Sequence, residues 1–130
     1  ETIIDIATLT GSSVATLGFE CGALFTNNEL LSKQLQQSGD RIGERLWPLP
    51  LWDAYKSDIE SEIADVKNYS GKPVAGAISA AKFLEFFTNN HPSWAHLDVA
   101  GVTFNDDEFA KTKHATAFGV HLITNFIENH

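Results

Sequence analysis

The chain has 130 residues, 43% of them hydrophobic, with 17 acidic against 9 basic side chains and a formal net charge of −8. This composition suits a single domain with its own core and excludes a disordered or collagen-like chain, and it holds no apolar run of the roughly 20 residues that a membrane span needs. The acidic balance also disfavours binding to nucleic acid, whose phosphates attract a basic face.

Strand and helix patterns alternate from the start of the chain. Residues 2–7 are a short apolar run rich in β-branched side chains, which predicts a buried strand, and residues 8–13 follow as a polar turn. Residues 14–17 are predicted to form a short helix closed by Gly18, and residues 21–26 to form a second strand.

The middle of the chain predicts a long helix and then an extended segment. Asn28 is a suitable N-cap for a helix whose apolar positions repeat along one face as far as Ile42. Two prolines keep residues 46–51 extended, and residues 53–63 predict a further amphipathic stretch.

The rest of the chain completes an α/β pattern. Residues 68–76 have turn chemistry throughout, residues 77–87 predict an alanine-rich helix, residues 94–100 an interior strand and residues 118–127 a last amphipathic helix. Strands that alternate with helices over short loops predict a partial, mostly parallel sheet flanked by helices.

A serine nucleophile is the first candidate for chemistry. Residues 11–15 read Gly-x-Ser-x-Ala around Ser13, close to the nucleophile elbow of serine hydrolases, and Asp98 and either His114 or His121 follow in the order of that triad. Serine and glycine also begin helices for capping reasons alone, so the pattern has an ordinary structural explanation.

A metal site is the second candidate. His96 and Asp98 lie two residues apart and so on one face of a predicted strand, although a catalytic metal needs at least three convergent ligands. Asp106, Asp107 and Glu108 form an acidic run that could bind a cation weakly, and such runs are usually solvated loops.

The turn at residues 8–11 is the third candidate. Ligands of parallel α/β sheets bind beyond the carboxyl ends of the strands, and Gly11 would let a ligand approach the main chain closely. An ordinary turn from strand to helix would have the same sequence pattern.

Three segments together resemble the carboxyl-terminal part of the catalytic region of the leucine aminopeptidase family. They are residues 4–11 (Ile-Asp-Ile-Ala-Thr-Leu-Thr-Gly), residues 64–68 with 75–78, and residues 94–101 (Trp-Ala-His-Leu-Asp-Val-Ala-Gly). The resemblance extends along essentially all of residues 1–130. It implies that the chain is the C-terminal portion of a larger three-layer catalytic domain.

The resemblance also implies an activity. Members of this family are cytosolic, usually hexameric exopeptidases that use two divalent cations, Mn²⁺ or Zn²⁺, to remove amino-terminal residues from peptides. The family's Asn-Thr-Asp-Ala-Glu-Gly-Arg segment, which carries metal ligands, does not occur in these 130 residues. We therefore expect no catalytic residue, no metal ligand and no bound cation in this chain, and no activity of the chain alone.

The site residues that the resemblance implies face the substrate. Leu9 would offer its backbone carbonyl and amide, and Gly11 would offer its amide to the peptide main chain. Tyr69 falls where the family builds the wall for the second side chain. The positions that match the family's pocket for the first side chain are Thr8, Gly11, Ala100 and Thr103.

The expected partners are peptides, the remaining N-terminal part of the same protein and further copies of it in a hexamer, all in the cytoplasm, with no membrane and no nucleic acid. The chain opens at Glu1 and contains no methionine, which favours a piece of a longer polypeptide. A sheet divided in this way exposes an unpaired edge, so we expect the chain to associate. Two alternatives stay open: a small serine hydrolase built on Ser13, and a non-catalytic binding or assembly module.

Overall fold

A computed structural model describes residues 1–105 and 113–130 of the chain. The helices in this part are α1 (Gly11–Leu17), α2 (Glu29–Ile42), α3 (Gly76–Phe86) and α4 (Val120–Asn129), with a 3-10 helix at Asp53–Asp58. The strands are β1 (Ile3–Ala7), β2 (Gly22–Thr26), β3 (Leu46–Pro48), β4 (Trp94–Asp98), β5 (Phe104–Asn105) and β6 (His114–Ala115).

Four of these strands form the main sheet, in the order β1-β4-β2-β3. The pairs β1–β4 and β2–β3 are parallel, whereas β4 and β2 are antiparallel. The prediction of a mostly parallel sheet is therefore confirmed, but the central pair reverses direction. As a result, β1 and β4 end at the side of the sheet where β2 and β3 begin.

Helices cover both faces of the sheet, which makes a three-layer α/β arrangement. On one face Leu24 and Leu97 pack with α2 and α4 in a cluster that includes Leu35 and Leu122. On the other face the small side chains of α3 allow close packing against the sheet, with Ala77 and Ala81 against Ala23 and Phe25. The alternation along β2 follows from the two-residue period of a strand.

The start of α4 is set by its local backbone and stabilised by a side chain from a distant segment. The last helix begins at Val120 rather than at the predicted Phe118, because Ala117 and Gly119 before it have positive φ angles of 56° and 102°. One carboxylate oxygen of Glu44 then accepts the N–H groups of Gly119 and Leu122 at 3.0 and 2.9 Å. A negative charge there stabilises the exposed N–H groups of a first turn.

The amphipathic stretch predicted over residues 53–63 is helical only as far as Asp58. Beyond it the Ile59 carbonyl accepts the N–H of Lys67 at 2.9 Å, and the Asp58 side chain accepts hydrogen bonds from Lys72 and Ser79. In the described residues, no helix is both long and apolar enough to cross a membrane.

Candidate functional site

The carboxylate of Asp98, at the end of β4, organises the turn that follows β1. Its Oδ1 accepts the N–H groups of Leu9 at 3.1 Å, Ala100 at 3.2 Å and Thr10 at 3.4 Å. Its Oδ2 accepts the Thr10 hydroxyl at 2.7 Å. Because Asp98 is only 1% exposed, these bonds replace the water that the buried carboxylate has lost.

Thr10 connects this carboxylate to the start of α1. Its Oγ1 accepts the N–H of Ser13 at 3.1 Å, which is the N-cap hydrogen bond, while the Ser13 hydroxyl donates to the Thr10 carbonyl at 2.9 Å. This cap explains why α1 begins at Gly11, three residues before the predicted start at Val14.

A cavity of about 460 Å³ opens beside this turn. Its volume lies in the range of about 300–1,000 Å³ that is usual for small-molecule sites. One wall is the turn and the start of α1, and the other is the irregular segment before α3 with the first turns of that helix. The described lining residues include Leu9, Thr10, Gly11, Ser12, Ile59, Asn68, Tyr69, Ser70, Lys72, Pro73, Val74, Gly76, Ser79 and Ala80.

An ion pair supports the second wall of the cavity. Lys72 Nζ lies 2.5 Å from Asp58 Oδ1, and the Ser79 hydroxyl donates to Asp58 Oδ2 at 2.9 Å. The hydrogen bond from Lys72, followed by that from Ser79, lowers the pKa of the Asp58 carboxyl below its ordinary value of 3.8.

The structure brings three of the six predicted site residues to this cavity: Leu9, Gly11 and Tyr69. Ala100 is tied to Leu9 because their N–H groups share Asp98 Oδ1. Thr103 donates its hydroxyl to the carbonyl of Ala100 at 3.4 Å. Thr8 lies exposed between β1 and Leu9, and neither it nor Ala100 nor Thr103 is among the described residues that line the cavity.

The hydrogen bonds of the serine-hydrolase candidates are those of structural residues. Ser13 is 3% exposed and donates its hydroxyl to the Thr10 carbonyl, and Asp98 is held by backbone N–H groups and Thr10 rather than by a histidine. His121 Nδ1 instead lies 3.3 Å from Glu44 Oε1, and His114 lies exposed in β6. The structure therefore does not form the serine triad.

The two metal-ligand candidates on β4, His96 and Asp98, also have structural roles. His96 is fully buried, and its Nδ1 lies 2.5 Å from a carboxylate oxygen of Asp5, whose other oxygen accepts the Trp94 indole N–H at 2.7 Å. Asp98 is occupied by the turn. The donors in residues 1–105 and 113–130 do not fit a metal centre, since no group of three or more His, Cys, Asp or Glu side chains converges there.

The acidic run Asp106, Asp107 and Glu108 lies outside the described residues. The expectation that this chain holds no cation therefore stays a prediction.

Comparison with known proteins identifies the family. The model of the cytosol aminopeptidase family, catalytic domain, matches residues 1–124. The chain belongs to the cytosol aminopeptidase family. The resemblance inferred from residues 4–11, 64–68 with 75–78, and 94–101 is thereby confirmed.

Individual members of the cytosol aminopeptidase family match nearly all of this chain. Proteins named probable cytosol aminopeptidase are 46% identical in Chloroherpeton thalassium, over 99% of this chain, and 45% identical in Syntrophotalea carbinolica, over 97% of it. A solved structure of a tomato leucine aminopeptidase variant matches all of this chain with a TM-score of 0.91 and 35% identity. In each comparison this chain covers 25% of the other chain's length.

Three residues that shape the candidate site are absent from the predicted set. Thr10 carries an N-cap signal in the sequence, since it lies three residues before Ser13 at a helix start. Asp58 and Lys72 carry no such signal in the sequence, because they are 14 residues apart and separated by irregular chain.

Proposed function

We propose that this chain forms part of the peptide-binding wall of an aminopeptidase that removes amino-terminal residues from peptides. In this proposal residues 1–130 are the C-terminal part of its catalytic domain. The observation that carries the proposal is the cavity of about 460 Å³ beside the turn after β1, in a chain whose residues 1–124 match the family's catalytic domain.

The backbone of the turn supports a role in holding a peptide main chain. The N–H of Leu9 is donated to Asp98, so the predicted amide contact of Leu9 with a ligand would compete with that bond. The hydrogen bonds of the described residues leave the Leu9 carbonyl and the Gly11 N–H available. Gly11 is the first residue of α1, where an N–H has no partner within the helix. One acceptor and one donor suit a peptide, which carries both.

The side-chain roles in this proposal follow the resemblance. Tyr69 would form the wall for the second side chain of the peptide, and Thr8, Gly11, Ala100 and Thr103 would surround the first. Gly11 and Tyr69 support this arrangement by lining the same cavity.

The catalytic cations of the proposed enzyme, two Mn²⁺ or Zn²⁺, would be held by ligands from the other part of the protein. The donors here support this, because Asp98 already accepts hydrogen bonds from Leu9, Thr10 and Ala100, and Asp5 is shared by Trp94 and His96. In the described part of the chain β1 has only β4 as a neighbour, and Ile3 and Ile6 are 40% and 42% exposed. These features support the further proposal that the edge of β1 contacts the remaining part of the same protein, within a cytoplasmic hexamer.

Peptide binding and turnover by the 130-residue chain test the proposal. We expect a leucyl peptide amide to shift the backbone amide NMR signals of Leu9, Gly11 and Tyr69, and we expect no hydrolysis of a leucine chromogenic substrate with added Mn²⁺ or Zn²⁺. Unchanged signals at millimolar peptide would overturn the binding role. Chelator-sensitive turnover by the pure chain would overturn the proposal that the catalytic ligands lie elsewhere.

A further inference from the structure

The charge of the cavity wall is opposite to that of the chain. The chain has 17 acidic and 9 basic side chains. Among the described residues that line the cavity, Lys72 is nevertheless the only one with a charged side chain. Its partner Asp58 is not among the described lining residues, so the ammonium is the charged group that a ligand in the cavity would meet, and it favours an anion there.

The position of Asp58 keeps this cation in place without covering it. The Asp58 side chain is 10% exposed and does not appear among the described lining residues, whereas the Lys72 side chain is 54% exposed. The Ser79 hydroxyl also donates a hydrogen bond to Asp58 Oδ2. An ammonium has three N–H donors, and Asp58 Oδ1 accepts one of them at 2.5 Å. Within the described residues the other two donors have no hydrogen-bond partner.

Anchoring also reduces the entropy lost when a ligand binds. A free lysine side chain has several rotatable bonds, and fixing them on binding lowers the affinity. In this chain the ion pair with Asp58 restricts these bonds before any ligand arrives. The anchored ammonium is thus better suited to bind an anion than a mobile surface lysine.

We propose that Lys72 binds a carboxylate that the peptide carries beyond its first residue. The inference rests on the proposed function and narrows it to a substrate class. Lys72 lies three residues after Tyr69 in the same cavity wall, which is the wall proposed for the second side chain. The carboxylate is either the C-terminal group of a dipeptide or the side chain of Asp or Glu at the second position.

Four peptides distinguish these sources in NMR titrations of the 130-residue chain. Leu-Glu-amide is compared with Leu-Gln-amide for the side chain, and Leu-Gly with Leu-Gly-amide for the terminal carboxylate. We expect at least one acidic member to bind about fivefold more tightly than its neutral partner, as for a partly exposed ion pair. This preference should weaken at high salt because counter-ions screen exposed charges.

Two variants assign the preference to Lys72. Lys72→Gln should abolish the acidic preference while leaving the binding of the neutral peptides within about twofold, since it removes only a charge contact. Asp58→Asn keeps the ammonium while removing both its anchor and the competing carboxylate, so an acidic preference that Lys72→Gln lacks should remain. Lys33→Gln, at an exposed position of α2, is the matched control and should change neither class of peptide. General damage to the wall would instead weaken the binding of acidic and neutral peptides alike in both cavity variants.

Two contrary outcomes have different meanings. If all four peptides bind with equal affinity, or if Lys72→Gln keeps the acidic preference, the inference about Lys72 is wrong and the proposed peptide site stands. If none of the peptides shifts Leu9, Gly11 or Tyr69, the proposed function fails, and the inference fails with it.

Discussion

The hydroxyl of Thr10 donates a 2.7 Å hydrogen bond to Asp98 Oδ2 while its oxygen accepts the N–H of Ser13. One side chain therefore joins the end of β4 to the start of α1. Because Asp98 is 1% exposed, loss of this hydroxyl leaves a buried charge with fewer donors.

Thr10→Ala should lower the free energy of unfolding by about 2–4 kcal/mol, because it removes both a charge-assisted hydrogen bond and a helix cap. Thr10→Ser keeps the hydroxyl and should retain most of the stability. Urea unfolding followed by circular dichroism measures both. Equal losses in the two variants would show that the methyl group, rather than the hydroxyl, is what matters.

Substitution of two glycines should separate folding from binding. A Cβ at Gly11 would meet no atom within 4 Å beyond its chain neighbours and its own helix backbone, whereas a Cβ at Gly101 would collide with the Gly18 carbonyl oxygen. Gly11→Ala should therefore unfold at nearly the same urea concentration as the native chain but bind a leucyl peptide amide more weakly, since its methyl group enters the cavity. Gly101→Ala should destabilise by several kcal/mol, about the scale of strong overpacking. Tight peptide binding by Gly11→Ala would contradict the proposed approach of the ligand to the main chain.

The ion pair of Asp58 should make stability depend on pH in the acid range. The pKa of Asp58 is lowered in the folded chain, mainly by the hydrogen bond from Lys72, so the folded state favours the ionised form. Its contribution is present above the ordinary pKa of 3.8 and is lost as the pH falls toward the lower folded value.

Asp58→Asn removes this titration and should flatten the loss of stability below about pH 4. Urea midpoints at several pH values from neutral to strongly acid measure the effect. Asp40→Asn, at an exposed position of α2, is the control and should keep the slope of the native chain. An unchanged slope in Asp58→Asn would contradict the assignment.

The folded chain should be more stable with glycine in place of Ala117. Its φ angle of 56° is left-handed, a conformation that costs a residue with a Cβ about 1–2 kcal/mol. Part of the gain is cancelled by the greater freedom of glycine in the unfolded chain, so Ala117→Gly should stabilise by up to about 1 kcal/mol. The control is Ala115→Gly, in β6, which should destabilise by about 0.5–1 kcal/mol. The same sign for both variants would contradict the strain at Ala117.

Much of the local structure could be predicted because its causes are local. Asn28 accepts the N–H of Leu31 at 3.0 Å and caps α2 as predicted, and Gly18 ends α1 with a φ angle of 66°. The family could also be inferred from short motifs.

The tertiary structure decided how these pieces meet. The sequence by itself determined an α/β chain with its helix caps, its strands and the turn after β1, since periodicity and capping act over a few residues. It did not determine the reversed pair β4–β2, the contact between Thr10 and Asp98 across 88 residues, or the position of Lys72 on Asp58 in the cavity wall. Such contacts depend on how the whole sheet and its helices pack, because burial, rather than local preference, selects which distant polar groups must pair.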